Sequence, residues 1–144
     1  MMATVPPIYA VDIGGSFMKF AVSPEPGALR MLDRIETPAG SWPDFVSALS
    51  SLVKRHVPAD QTAAPLALSI AGLIDPKDGV ATSANIPCIT GRSLARELSV
   101  ALGRPVFAAN DADCLTLAEA NEGVGRGHAV VFCAIMGTGI GGGL

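Results

Sequence analysis

The amino-acid sequence predicts an α/β domain, a mixed sheet with helices on both faces. Three observations carry that prediction. Short apolar runs divided by turn residues open the chain, a run of apolar residues at helical spacing follows, and strand-like and helix-like stretches then alternate.

Ile8 to Ile13 is a nearly all-apolar run with Asp12 near its end and Gly14-Gly15 beyond, the pattern of a buried strand entering a tight turn. Met18 to Val22 leaves that turn as a hairpin arm. Ser23 to Gly27 is turn chemistry, and Leu29 to Glu36 reads as a third strand. Ser41 stands three residues before Asp44, a capping-box spacing, and Phe45, Val46, Leu49, Leu52 and Val53 share one helical face. Pro65 to Ile70 predicts a buried strand, Gly72 to Gly79 a turn-rich loop, and Val80 to Ser83 a short strand. Leu94, Leu98, Ala101 and Leu102 mark a second helix ended by Gly103. Val106 to Ala109 follows as a strand, Ala112 to Glu122 as a third helix, and Ala129 to Met136 as a last, fully apolar and buried strand. The order is βββαβαβα with a final strand.

Composition bounds what such a domain does. In 144 residues, 49% are hydrophobic and 16% charged, and the mean hydropathy is +0.44, which suits one domain with one core and excludes disorder. Aromatics make up only 5%, so Ala, Val, Leu and Ile must fill that core. The net charge is −3 with Lys and Arg scattered along the chain and adjacent only at Lys54-Arg55, which argues against nucleic acid as a partner. Ala129 to Met136, the longest apolar run, is far short of the roughly 20 residues that cross a bilayer. With no signal segment in the sequence, a cytoplasmic protein is expected. Cys88, Cys114 and Cys133 lack the close pairing of a zinc site or redox dithiol and read as reduced, mostly buried small hydrophobes.

Three segments carry chemistry. In Asp12-Ile13-Gly14-Gly15-Ser16, the glycines allow close backbone approach and leave amides to face an anion, while Asp12 suits Mg²⁺. An ordinary hairpin turn with an Asp bonded to its own backbone fits the same residues. Gly137 to Gly143 places five glycines in seven residues after an apolar strand, for which a ligand is the economical reason. Its match to a dinucleotide fingerprint lacks the helix and acidic residue that should follow, and a P-loop is excluded because no Gly-Lys pair occurs. Asn110-Asp111 sits between a strand and a helix, where ligands of α/β sheets collect; taken alone, the pair reads more readily as a helix cap. Asp113 and Glu119 read as solvated helix acids, and His56 and His128 as surface or capping residues.

Taken in order, Asp12-Ile-Gly-Gly-Ser, Asn85-Ile86-Pro87 followed by Gly91, Gly103-Arg-Pro-Val leading to Asn110-Asp111-Ala112, Glu119, and Met136 with its glycine-rich sequel resemble the ROK family of sugar kinases and related repressors. The likeness extends over nearly the whole chain. It implies an actin-like ATPase (ribonuclease H-like) domain, with 1–136 as the N-terminal lobe and 137–144 opening a second lobe whose remainder is absent. It further implies Asp111 as the base facing a sugar hydroxyl, with Asn110, Asn85 and Gly72 binding the sugar. Asp12, Gly14, Gly15 and Ser16 would meet Mg²⁺ and phosphates, with Asp12 the metal ligand, and Gly137, Thr138 and Gly139 would form a second phosphate turn.

The activity implied is ATP-dependent phosphorylation of a hexose or N-acylhexosamine, with glucose, N-acetylglucosamine and N-acetylmannosamine as leading substrates. ATP and Mg²⁺ are the implied cofactors, a homodimer the implied complete assembly, and the 144 residues alone are expected to be inactive. The family's zinc segment lies past the second phosphate turn and is not present. The alternatives are a sugar-responsive ROK repressor, for which seven residues before the first strand leave too little room for a helix-turn-helix, and a non-catalytic actin-like nucleotide-binding domain. Four residues at three places depart from the family pattern: Phe17 stands where Lys is frequent, Cys88-Ile89 where Gly-Trp is frequent, and Asp113 where Asn is frequent.

Overall fold

In the computed structural model, residues 6–25, 27–136 and 140–144 are described. Gly137, Thr138 and Gly139, expected from the sequence to form a second phosphate turn, lie outside them. Strands β1 (Ile8–Ile13), β2 (Phe17–Ser23) and β3 (Arg30–Glu36) run antiparallel, as the apolar runs and their turns require. After helix α1 (Trp42–His56), strand β4 (Leu66–Ile70) enters parallel to β1. Helix α2 (Leu94–Leu102) then leads to β7 (Val106–Asn110), parallel to β4. The five strands lie in the order β3-β2-β1-β4-β7. All parallel strands therefore point their carboxyl ends to one edge, where residues 14–15, 71–72 and 110–111 emerge.

Alternation along the strands divides the sheet into unlike faces. Tyr9, Val11, Ile13, Leu66, Leu68 and Ile70 are buried against α1 and α2. The opposite face carries Asp12, Ala67 and Ser69, small or polar residues that leave room for helix α3 (Asp111–Glu122). The prediction of helices on both faces follows from this division. Phe20 and Phe45 are the fully buried aromatics among the largest core side chains, and aliphatic residues fill the rest.

Local chemistry sets the helix bounds. Ser41 Oγ accepts from the Asp44 amide at 3.4 Å, Pro43 occupies the first turn, and Phe45, Leu49, Leu52 and Val53 face the core. Gly103 ends α2 at φ 62°, a conformation that costs glycine little.

Two segments differ from expectation. Within Gly72 to Gly79, strand β5 (Leu73–Ile74) pairs with β6 (Ala81–Thr82) instead of remaining a loop, because the turn over residues 75–79 closes a small hairpin. In Ala129 to Met136 only β8 (Cys133–Met136) is a strand, and it pairs with β9 (Ile140–Gly143) in a hairpin separate from the main sheet. Val130, Phe132 and Met136 are exposed, so the apolar composition does not signal burial here. The reason is that the hairpin packs on α3 with one side and has no cover on the other within the described residues.

Among the described residues, no helix is long and apolar enough to cross a membrane.

Candidate functional site

A cleft of about 510 Å³ opens at the carboxyl edge of the sheet. Gly14, Gly15, Gly72, Asn85, Asn110 and Asp111 border it, with Ile135, Ile140 and Gly141 of the β8–β9 hairpin on the far side. Six of the residues singled out in the sequence, drawn from four separate segments, thus converge on one space. Parallel pairing explains the convergence: β1, β4 and β7 end side by side, with Ile13, Ile70 and Asn110 in register.

Asp111 begins α3. Its Oδ1 accepts from the Ala112 amide at 2.9 Å, and the half-buried carboxylate remains on the cleft wall. Asn110 does what a cap does, accepting from the amides of Ala112 and Asp113. Its Nδ2 also donates to the Gly72 carbonyl, so capping and site construction are one arrangement.

The β1–β2 turn is held from outside. Thr37 donates through Oγ1 to the Gly14 carbonyl at 2.7 Å and through its amide to the Ser16 carbonyl at 2.9 Å. The Gly14 amide donates to Phe17 O, so it is not free for an anion as the sequence suggested. Among the described residues the amides of Gly15 and Ser16 donate to no acceptor, which leaves two donors at the turn. Gly15 is glycine for an internal reason: a Cβ there would meet Asn85 Cβ at 2.9 Å and Asn85 O at 3.0 Å. At Gly14 nothing comes closer than 3.7 Å, so its missing side chain keeps the space beside the turn open. Gly72 is likewise needed for packing, against Ser83 and the Thr82 carbonyl.

Asp12 and Ser16 do not border the cleft. Asp12 stands in a row across the sheet with Lys19 on β2 and Ser69 on β4. Lys19 Nζ lies 3.3 Å from Asp12 Oδ2, and Ser69 Oγ donates to Asp12 Oδ1 at 3.2 Å. As an exposed carboxylate, Asp12 would suit a hydrated Mg²⁺, for which it would supply a hard oxygen ligand. The described residues hold no group of three or more His, Cys, Asp or Glu, so an all-protein metal cage is not what this arrangement offers.

Lys19, Ser69, Thr37 and Ser83 escaped the sequence reading. A hairpin turn centred on Gly15-Ser16 would have paired Asp12 with Lys19 directly; Ser69 needed the β1–β4 register, which no local pattern contains. Ser83 is buried, donates to the Ala71 carbonyl at 2.7 Å and accepts from the Ile86 amide at 3.0 Å, which fixes the Asn85 loop to the end of β4. Cys114 on α3 lies beside this row: burial pushes its thiol up, a hydrogen bond with Ser69 opposes the rise, and Asp113, Asp111 and Asp12 add to it. It is therefore a protonated packing residue at neutral pH.

The glycine-rich end also has internal reasons. A Cβ at Gly142 would meet the Phe132 ring at 2.8 Å and one at Gly143 the Thr116 hydroxyl at 2.5 Å, whereas nothing lies within 4 Å at Gly141. Of these, only Gly141 borders the cleft. Of the departures, Phe17 carries the Arg34 guanidinium over its ring at 3.6 Å, and Ile89 is buried in the core.

The sequence model of the ROK family matches residues 8–144. This chain belongs to the ROK family. Its ROK relatives include the N-acetylgalactosamine kinase AgaK of Shewanella sp. (strain ANA-3), 35% identical over 139 residues, a match covering 94% of this chain and 44% of AgaK. The N-acetyl-D-glucosamine kinase of Histophilus somni (strain 129Pt) is 32% identical over 136 residues, covering 94% of this chain and 45% of that kinase. The crystal structure of the inorganic polyphosphate/ATP-glucomannokinase from Arthrobacter sp. strain KM superposes with a TM-score of 0.80 at 29% identity, over 94% of this chain and 56% of that one. The chain thus spans less than half the length of these curated ROK kinases. Its fold is the actin-like ATPase fold of ROK proteins.

Proposed function

We propose that the complete protein transfers the terminal phosphate of ATP to a hydroxyl of a hexose or N-acylhexosamine. The observation that carries this reading is the shared cleft: Asp111, Asn110, Asn85 and Gly72 border the same space as the Gly14-Gly15 turn. Sequence relatives named N-acetylgalactosamine kinase and N-acetyl-D-glucosamine kinase and a structural neighbour named inorganic polyphosphate/ATP-glucomannokinase support the substrate class.

In this reading the Asp111 carboxylate orients the attacking hydroxyl and takes its proton as the new oxygen–phosphorus bond forms and the bond to the leaving ADP breaks. Phosphoryl transfer rests on positioning and charge neutralisation, so a carboxylate of ordinary basicity suffices. Asn110, Asn85 and the Gly72 loop bind sugar hydroxyls. The Gly15 and Ser16 amides receive phosphate oxygens, as does the second phosphate turn expected at Gly137, Thr138 and Gly139. Mg²⁺ at Asp12, when bound, supplies charge neutralisation on the phosphates.

The test is Asp111→Asn in a complete protein. Turnover should fall by at least about 10²-fold, the lower range for a positioned base, while calorimetry still detects sugar binding. Unchanged turnover removes Asp111 from the chemistry, and loss of sugar binding alone makes it a binding residue.

A further inference from the structure

The end of the sheet opposite the cleft holds a second cavity of about 380 Å³, between the last turns of α1 and α2. Arg104, Lys54, Ser50 and Thr62 are among the residues that line it. Arg104 is only 9% exposed. Its Nη1 donates to the Ala64 carbonyl at 3.2 Å, and its Nε is buried with no acceptor among the described residues. None of the ion pairs among those residues includes Arg104.

A guanidinium buried without a counter-ion is costly to keep charged, and burial draws its pKa down, with Tyr9 opposing. The helix ends offset part of the charge, at about half a unit each. No basic residue stands in the last turn of α2, and Arg104 follows directly on the Gly103 that ends it. Helix α1, by contrast, already ends in Lys54, Arg55 and His56. Of these, Arg55 and His56 meet the Asp33 carboxylate, and Lys54 meets no carboxylate among the described residues. Lys54 and Arg104 together exceed the two helix ends by about one positive charge.

We propose that this cavity binds a small oxyanion of the phosphate class, held by Arg104 and Lys54 with the Ser50 and Thr62 hydroxyls as further donors. A guanidinium, an ammonium and two hydroxyls offer more donors than the two oxygens of a carboxylate can use, and match the three or four oxygens of a phosphate. Because Thr62 and Arg104 precede β4 and β7, while the cleft lies beyond their carboxyl ends, the site is separate from the cleft and does not rest on the kinase reading.

The experiment is titration of the ¹⁵N-labelled chain with inorganic phosphate at low ionic strength. The Arg104 Nε–H resonance and the backbone amides of Lys54 and Thr62 should move together and saturate. Lys54→Met should weaken binding by about tenfold, the loss of one charge-assisted contact. Arg104→Gln, checked for folding by circular dichroism, should abolish it; if that variant does not fold, Lys54→Met decides the question through the same resonances. Sulfate competing with phosphate supports the class, as does a sugar phosphate binding more tightly than phosphate itself. Acetate binding more tightly than phosphate overturns the class. A still Arg104 Nε–H resonance up to about 10 mM phosphate, or shifts confined to Gly15 and Ser16, overturns the site.

Discussion

Asn110 Nδ2 lies 2.8 Å from the carbonyl oxygen of Gly72, a hydrogen bond that joins the start of α3 to the segment leaving β4. The same side chain caps α3 through its oxygen, so one residue sets both the helix start and the width of the cleft beside Asp111.

Replacing Asn110 separates these duties. Asn110→Ala should lower stability by about 1–2 kcal/mol, read as a shift in the urea midpoint, because both cap and tie are lost. Asn110→Asp keeps the cap oxygen and loses the donor, and should cost less. Equal losses in the two variants would show that the tie to Gly72, not the cap, carries the stability.

The two turn glycines should respond in opposite ways. Gly15→Ala forces its Cβ against Asn85, with contacts of 2.9 and 3.0 Å, and should destabilise by about 1–3 kcal/mol. Gly14→Ala meets nothing closer than 3.7 Å and should stay within about 0.5 kcal/mol of the parent. Thermal melts of the pair check this, and a larger loss at Gly14 would contradict the contact geometry.

Asp33 links β3 to the end of α1. Its hydrogen bond with His56 at 2.8 Å is the main cause that lowers its pKa, with the Arg34 amide and the charge of Arg55 adding and burial opposing. A carboxyl depressed in the folded state contributes stability above its unfolded pKa of about 3.9, and loses it as pH falls through the folded value below that. The stability difference between the parent and Asp33→Asn should therefore shrink as pH falls below about 4. Urea midpoints between about pH 5 and pH 2 measure it; a difference that grows below pH 4 would reverse the sign.

Lys19 competes with any cation for Asp12. The pair is exposed, 46% and 53% at the side chains, so Lys19→Met should change stability by less than about 1 kcal/mol. Removing an ammonium 3.3 Å from Asp12 Oδ2 should tighten Mn²⁺ binding by about two- to fivefold in electron paramagnetic resonance titrations at low salt. Asp12→Asn should abolish that binding, and Mn²⁺ affinity indifferent to both changes would place the metal elsewhere.

Much of the site was readable residue by residue. Gly14 and Asp111 stand out because glycines and polar residues directly after apolar strands serve turns, caps or ligands, whereas Gly72 and Asn85 were named as sugar contacts only through the resemblance. Their local signals do not distinguish these uses, and at Asn110 and Gly15 the structure shows packing or capping at work within the cleft wall itself. Ser69 and Lys19 were silent because their significance lies in strand register. The exposed apolar end of the chain was misread because composition records what a strand is made of and not what covers it.

By itself the sequence determined the five strands of the main sheet, the three helices, their order and the family, since period, turn chemistry and an ordered set of motifs are properties of neighbours along the chain. Only the tertiary structure decided that Asp111, Asn85 and the Gly14-Gly15 turn border one cleft while Asp12 turns toward Lys19 and Ser69. The physical reason is that these relations depend on which strands pair and in what register, and pairing is fixed by burial of one sheet face across the whole domain.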